Sequence, residues 1–157
     1  MRNFNLVKTA LCSQNKTVAT AESCTGGMIA KLITDIPGAS QVFQYGIVSY
    51  SNEAKMKLLG VKKETLDSYT EVSAQTALEM AEGVRNLAGS NIGVSVTGYA
   101  GGADSYDDPN NGLVYIAVVD DIGHKNVQSI HLRYCDRDQV RTAAAQTAIN
   151  MVYEMIR

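Results

Sequence analysis

Histidine, cysteine and tryptophan are scarce in this 157-residue sequence, which has two, three and none of them. Cys12, Cys24 and Cys135 are widely spaced and odd in number, without a CxxC or Cys/His cluster. This pattern argues against a structural zinc site and against a disulfide framework. His124 and His131 lie near the end of the chain, so the usual general base is almost missing. No spacing supports a serine–histidine–aspartate triad.

A basic surplus and long apolar runs are also absent. Fourteen Lys and Arg against sixteen Asp and Glu give a net charge of −2, whereas a nucleic-acid-binding domain usually carries excess positive charge. No apolar run reaches transmembrane length, and the N-terminus lacks the apolar core of a signal peptide. We therefore predict a reduced, cytoplasmic, soluble protein with no nucleic-acid or membrane partner.

Helical and strand patterns alternate along the chain, whose length suits one domain over residues 1–157. The opening dozen residues have helical spacing. β-Branched and apolar runs predict strands over 16–21, 42–50, 91–97, 112–120 and 126–134, the last two joined as a hairpin. The third should be buried on both faces. This order predicts an α/β sandwich with a mixed sheet of about five strands.

Capping residues define the predicted helices. Ser51 or Asn52 begins a short helix that Gly60 ends. Ser73 begins a long helix that ends at Gly89 and points Ala77, Met80, Ala81, Val84 and Leu87 inward. Asp136 caps the last helix.

The segment AESCTGG, residues 21–27, is the most informative one. It follows a strand and precedes a helix, where backbone amides bind anionic or oxyanionic atoms. Ser23 and Thr25 supply hydroxyls, and Gly26 and Gly27 allow close backbone approach. Neither a Walker A loop nor GxGxxG matches. The alternative is structural: a serine N-cap followed by close helix–strand packing.

A serine nucleophile requires a base, and a lysine can serve if burial lowers its pKa from about 10.4. Lys55 in SNEAKMK is the candidate, although a solvated helix lysine is the ordinary reading of such a position. Cys24 could be an activated thiolate or a small buried side chain.

Three further features leave alternatives open. Thr97 and Gly98 follow the third strand and either complete an oxyanion site or form a flexible turn. Arg137 and Arg141 open the last helix and either clamp a phosphate or pair with neighbouring acids. Asp104, Asp107 and Asp108 lack the EF-hand pattern, so a solvated loop is expected rather than calcium.

Several long motifs together resemble the CinA C-terminal domain family, whose enzymatic members are nicotinamide-mononucleotide deamidases. They are TVATAESCTGGMIAKLITDIPGAS, YGIVSYSNEAKMKLLGV, VSVTGYAGG and CDRDQVR. The resemblance spans Leu6 to the last helix. It implies a three-layer α/β/α sandwich with a mixed, mostly parallel five-stranded sheet. It also implies that the nucleotide-hydrolase domain of long CinA proteins is absent here.

The resemblance further implies roles for single residues in metal-free, cofactor-free hydrolysis of nicotinamide mononucleotide to nicotinic acid mononucleotide and ammonia. Ser23 looks like the nucleophile, Lys55 like its base, and Tyr50 like an orienting or proton-shuttling hydroxyl. The implied substrate contacts are Thr25, Gly26, Gly27, Ser40, Thr97, Gly98 and Arg137, the last suited to the 5′-phosphate. Helix N-terminal amides after Ser23 could hold the oxyanion.

The alternative function is a non-catalytic nucleotide-binding or interaction module of the same family, and the resemblance also suggests a homo-oligomer. The sequence departs from the family at Gly102, where proline is usual, and in the loop ADSYDDPNNG, residues 103–112. This loop is expected to border the site, so the departure bears on substrate preference.

Overall fold

The computed structural model describes residues 4–157, which form a five-stranded sheet covered by helices on both faces. The strands are β1 (Val18–Glu22), β2 (Phe43–Val48), β3 (Ile92–Gly98), β4 (Leu113–Asp120) and β5 (Lys125–His131). The helices are α1 (Phe4–Ser13), α2 (Met28–Thr34), α3 (Asn52–Leu59), α4 (Lys63–Tyr69), α5 (Ala74–Ala88) and α6 (Arg137–Ile156). The part of the opening helix predicted over residues 1–3 lies outside the described residues. The predicted three-layer α/β class is confirmed.

The strands lie in the order β2-β1-β3-β4-β5. β1 pairs in parallel with β2 and β3, whereas β4 is antiparallel to both of its neighbours. Four strands therefore run in one direction and β4 alone is reversed, as a mixed, mostly parallel sheet requires. The carboxyl ends of β1, β2 and β3 consequently meet at one edge of the sheet.

The predicted helix boundaries follow from local hydrogen bonding. The Ser51 and Ser73 hydroxyls each accept a backbone N–H as N-caps of α3 and α5, and Asp136 forms a capping box on α6. Gly60 and Gly89 end α3 and α5 with φ of 69° and 64°. A side chain would be strained there, so glycine stops each helix.

The two faces of the sheet are packed differently. Branched apolar side chains of β3 and β4 pack under α1, α2 and α6, while small residues face α5. The Ser95 hydroxyl donates to the Ala77 carbonyl at 2.5 Å, and a Cβ on Gly93 would collide with the Ala81 carbonyl oxygen. α5 therefore lies unusually close to the sheet. β3 is buried on both faces as predicted, apart from its last residue, Gly98.

Three sequence-based details differ from the structure. β2 stops at Val48 and β5 at His131, both earlier than predicted. Leu87, predicted to point inward, is 51% exposed. The apolar stripe of α5 continues from Val84 to Ala88, one full turn on, which turns Leu87 toward solvent.

Candidate active site

Chain segments from three strands meet at the carboxyl edge of the sheet. The Ser23 amide donates to the Val96 carbonyl at 3.0 Å, and the Ser49 amide donates to the Glu22 carbonyl at 2.8 Å. These bonds continue the two parallel ladders by one residue beyond β1. Ser23 is thereby fixed between the ends of β2 and β3.

Lys55 contacts Ser23 directly. It is 1% exposed and lies on the first turn of α3, which follows β2 and returns its side chain to the sheet edge. Its Nζ is 3.2 Å from Ser23 Oγ, 3.0 Å from the Ser49 carbonyl and 3.5 Å from the Tyr50 carbonyl. The structure thus brings together the two residues predicted as base and nucleophile.

The surroundings of Lys55 suit a neutral amine. Burial lowers the pKa of Lys55 below its usual value of 10.5, while the negative charge of Glu71 opposes that shift. A neutral amine has two N–H donors and one lone pair. The Ser49 and Tyr50 carbonyls can accept the two donors, which leaves the lone pair for the Ser23 hydroxyl proton.

The turn at residues 23–27 is built differently from the predicted serine N-cap. α2 begins only at Met28, with Gly27 as its cap, and the Glu22 carboxylate takes its first free amides. Glu22 Oε1 accepts from Ile29 N at 2.8 Å, and Oε2 accepts from Ala30 N at 3.0 Å. The first amides of α2 are therefore unavailable to an oxyanion.

The amides nearer Ser23 bond to no other described residue, although the Cys24 amide hydrogen-bonds its own thiol. Within residues 4–157, the backbone N–H groups of Cys24 and Thr25 donate to no other residue. Cys24 lines the cavity beside Ser23, and burial raises the pKa of its thiol to about 11, although Arg137 and Arg141 lower it. An activated Cys24 thiolate is therefore the wrong reading of this position.

The last three residues of the AESCTGG motif shape the turn, and none of them is among the lining residues of the cavity. The Thr25 side chain is fully buried, and its hydroxyl has no partner among the described residues. Gly26 and Gly27 have φ of 59° and 101°, which explains why glycine is needed there. The predicted contacts of these three residues with substrate stay predictions.

A cavity of about 300 Å³ opens at Ser23 and Lys55. Its lining residues come from the strand ends, the 70–73 segment, the 98–111 loop and the start of α6. They are Ser23, Cys24, Tyr50, Lys55, Glu71, Val72, Thr97, Gly98, Tyr99, Ala100, Gly101, Ser105, Asp108, Asn111 and Arg137. The volume is at the small end of the range for small-molecule sites.

Of the two candidate arginines, Arg137 lines the cavity and Arg141 does not. Arg137 donates to the Gly101 carbonyl and to the Tyr50 hydroxyl, both at 3.1 Å. Arg141 donates to the carbonyls of Cys24 and Thr25 and so fixes the turn behind Ser23. The Tyr50 hydroxyl therefore contacts Arg137, and Lys55 contacts only the Tyr50 backbone carbonyl. This differs from the prediction that the Tyr50 hydroxyl lies beside Lys55 and shuttles a proton.

Two other predicted contacts have contrasting positions. Thr97 and Gly98 line the cavity, and the Thr97 hydroxyl donates to the Glu71 carbonyl at 2.6 Å. Ser40 is exposed in the single turn of 3-10 helix that precedes β2, at the opposite end of the sheet. Because α2 runs back along the sheet after β1, Ser40 cannot reach this cavity within one chain.

Sequence reasoning missed Glu71, Tyr99 and Asn111 as cavity residues. Glu71 precedes the Ser73 cap, Tyr99 follows the predicted β3 end, and Asn111 ends the unusual loop. A signal existed only for Tyr99, because an aromatic residue directly after a central strand points to the carboxyl edge.

The histidines and the acidic loop do not contribute a base or a metal site. His124 pairs with Asp120 at 2.7 Å in the β4–β5 turn, and His131 ends β5; neither lines the cavity. Among residues 4–157 no group of three or more His, Cys, Asp or Glu could hold a metal ion.

Within the same range, no helix has both the length and the apolarity needed to cross a bilayer.

Fold and site together define an α/β protein with a buried serine–lysine pair at the carboxyl edge of its sheet. Residues 3–156 match the model of the CinA C-terminal domain. A CinA-like protein of Syntrophomonas wolfei is 43% identical over 149 residues, which cover 95% of this chain and 35% of that protein. A relative from Acetivibrio thermocellus, described as a putative competence-damage inducible protein, is 51% identical over 142 residues. The match covers 90% of this chain and 34% of that protein.

Solved structures agree with this relationship. The competence/damage inducible protein CihA of Agrobacterium tumefaciens is 36% identical with a TM-score of 0.90, over 98% of this chain and 94% of its own. A CinA superfamily protein of Klebsiella pneumoniae 700603 is 30% identical and has a TM-score of 0.90. The match covers 99% of this chain and 98% of that protein's chain. This chain belongs to the CinA C-terminal domain family. It spans about a third of the length of the curated relatives it matches.

Proposed function

We propose that this chain is an amidohydrolase that converts nicotinamide mononucleotide to nicotinic acid mononucleotide and ammonia. The observation that carries the proposal is the contact of 3.2 Å between Lys55 Nζ and Ser23 Oγ in a buried, cavity-facing position. A domain that only binds a nucleotide has no need of a buried lysine at a serine hydroxyl. The substrate itself comes from the family resemblance.

In the proposed first half-reaction, neutral Lys55 takes the Ser23 proton while Oγ attacks the carboxamide carbon. The carbonyl oxygen becomes an oxyanion, for which the amides of Cys24 and Thr25, which bond to no other described residue, are the nearest donors in sequence. The C–N bond then breaks, and the leaving nitrogen takes the proton from Lys55 and departs as ammonia. The acyl group remains on Ser23.

In the second half-reaction, Lys55 takes a proton from water, and the hydroxide oxygen attacks the ester carbon. The bond to Ser23 Oγ breaks, Oγ regains the proton from Lys55, and the acid product leaves. Arg137, which is exposed at the cavity, has the charge to hold the 5′-phosphate. The same lysine therefore serves both steps without a histidine.

The test is ammonia release from nicotinamide mononucleotide by the purified chain and its variants. Ser23→Ala should abolish turnover, and Lys55→Met should lower kcat by about 10²–10⁴-fold, as loss of a general base does. Lys57→Met on the same helix, at an exposed position, is the matched control and should leave kcat unchanged.

Absence of ammonia release by the unmodified chain from neutral to alkaline pH would refute the proposal for this substrate. The alternative, a non-catalytic binding module, predicts thermal stabilisation by the nucleotide that persists in Ser23→Ala, with no product from either protein.

A further inference from the structure

One side of the cavity carries two carboxylates, those of Glu71 and Asp108. Glu71, Tyr99, Asp108 and Asn111 line it, and we call them the acidic wall. Within residues 4–157, neither the Glu71 nor the Asp108 carboxylate forms an ion pair. The Asp108 carboxylate accepts only the Asn110 amide, and the Glu71 carboxylate has no hydrogen bond in that range.

The backbone that carries Glu71 is held firmly. Thr70, a non-glycine residue, has φ of 67°, which is strained for a β-branched side chain. Its carbonyl accepts the Ser73 and Thr76 hydroxyls at 3.1 and 2.7 Å. The next carbonyl, that of Glu71, accepts the Thr97 hydroxyl. The fold thus fixes a carboxylate at the cavity at the expense of local strain.

Asn111 supplies an independent sign of a ligand on this wall. Its side chain is 2% exposed, and neither Oδ1 nor Nδ2 has a hydrogen-bond partner among the described residues. The carboxamide lies over Gly101, where a Cβ would collide with it, so the space for it is kept open. Buried polar groups are rarely left unpaired. A cavity ligand with a donor and an acceptor would satisfy this one.

Tyr99 adds an aromatic surface between the two carboxylates. Burial, together with the charges of Glu71 and Asp108, raises the pKa of Tyr99 above its usual value of 10.0. The Tyr99 ring therefore lies within electrostatic range of both carboxylates, and an aromatic ring beside carboxylates attracts a cation. Arg137 gives the same cavity a positive group, so the site has groups of both signs.

We propose that the acidic wall selects a positively charged heteroaromatic ring, so that a cationic-ring amide binds more tightly than the same molecule with a neutral ring. This proposal adds a ring-charge preference to the proposed function, and it rests on that function for the identity of the amide substrate. Nicotinamide mononucleotide has a permanently charged pyridinium and an anionic phosphate, which match the wall and Arg137. Asn111 binds the hydrogen-bonding edge of the ring's amide.

A bound cation also assists the base. The negative charge of Glu71 opposes the fall in the pKa of Lys55. A pyridinium beside Glu71 offsets that carboxylate and disfavours a second positive charge on Lys55. The neutral lysine is then favoured when substrate is present.

The test compares two ligands of nearly identical shape. Nicotinamide mononucleotide and its reduced form share carboxamide, ribose and phosphate, and only the first has a charged ring. Titration calorimetry in a Ser23→Ala background prevents turnover. The oxidised form should bind about fivefold or more tightly, as expected for unpaired carboxylates at a partly exposed site.

Charge-removing variants locate the effect. Glu71→Gln and Asp108→Asn should each reduce the preference for the charged ring by at least about twofold and leave affinity for the neutral ring nearly unchanged. Glu64→Gln and Asp104→Asn, at exposed positions outside the cavity, are the matched controls and should change neither affinity. Asn111→Ala should weaken both ligands alike.

Equal affinities for the two ligands, or an equal loss of both in Glu71→Gln, would overturn the proposal. Melting temperatures check that each variant folds, and Glu71→Asp, which keeps the charge, should retain part of the preference. Ammonia release without ring-charge preference refutes the acidic wall and leaves the proposed function standing. Preference without ammonia release supports the wall and refutes the deamidase.

Discussion

Glu22→Gln removes one of the two hydrogen-bond acceptors that support the turn at residues 23–27. Glu22 is 1% exposed, and its two carboxylate oxygens accept the Ile29 and Ala30 amides at 2.8 and 3.0 Å. Glutamine offers one acceptor oxygen and one NH₂ group. One of the two amides of α2 must then face another donor.

The expected cost follows from these two bonds. Loss of a charge-assisted hydrogen bond to a buried donor costs about 1.5–3 kcal/mol. Loss of negative charge at a helix N-terminus costs about 0.3–1 kcal/mol more. Removing a buried charge relieves desolvation and offsets part of this. We expect a net loss of about 2 kcal/mol in the free energy of unfolding, which lowers Tm by about 4–8 °C for a chain of this size.

Urea unfolding followed by circular dichroism measures the loss, and hydrogen exchange of the Ile29 and Ala30 amides tests its location. Glu53→Gln, an exposed acid in the first turn of α3, is the control and should stay within about 0.5 kcal/mol of the parent. If Glu22→Gln also stays within that range, or if the two amides keep their protection, the carboxylate does not hold α2 as argued.

Three further outcomes follow from other contacts. With a neutral Lys55 as base, kcat/KM should rise with pH along a limb whose midpoint lies below 10.5, because burial lowers the pKa of Lys55; a midpoint at or above 10.5 would contradict this. Gly83→Ala, usually stabilising in a helix, should instead lower stability by about 1–3 kcal/mol, because its Cβ would collide with the Leu59 carbonyl; unchanged or raised Tm would contradict this. Burial opposes ionisation of Asp120, yet hydrogen bonds from the ring and amide of His124 lower its pKa below 3.8. The resulting stabilisation is present above pH 3.8 and is lost as pH falls through the lowered pKa, so Asp120→Asn should destabilise at pH 7 and converge with the parent at lower pH.

The layers of the fold could be predicted from the sequence because their signals are local. Alternating strand and helix patterns and the caps at Ser51, Ser73 and Asp136 depend on residues within one turn of each other. Strand order depends on which strands pair across the sheet, which no local pattern records. The exposure of Leu87 has the same cause. Which residues of the last turn of a helix are buried depends on the elements packed beneath that turn, and the sequence of the helix does not record them.

For the site, residues on strand ends were predicted better than residues on loops. Ser23 and Thr97 come together because parallel strands place their ends at one edge, and Lys55 joins them from α3, which follows β2 at the same edge. The burial of the Thr25 side chain could not be predicted, because the direction of a side chain in an irregular turn depends on glycine conformations. Nothing in the sequence indicated that Asn111 lines the cavity, because a long loop can fold over many different surfaces.

The loop that departs from the family motif supplies part of the acidic wall. Gly102 has φ of 151°, which is impossible for proline, the residue that the motif usually has there, because the pyrrolidine ring fixes φ near −65°. Residues 103–112 follow it and include Asp108 and Asn111, which line the cavity. The serine–lysine pair is held by strand ends and buried hydrogen bonds, which a loop change does not disturb. On the two proposals above, this loop therefore contributes to the choice of ring, while the reacting groups come from the end of β1 and from α3, in line with the general observation that loops on a rigid scaffold carry selectivity.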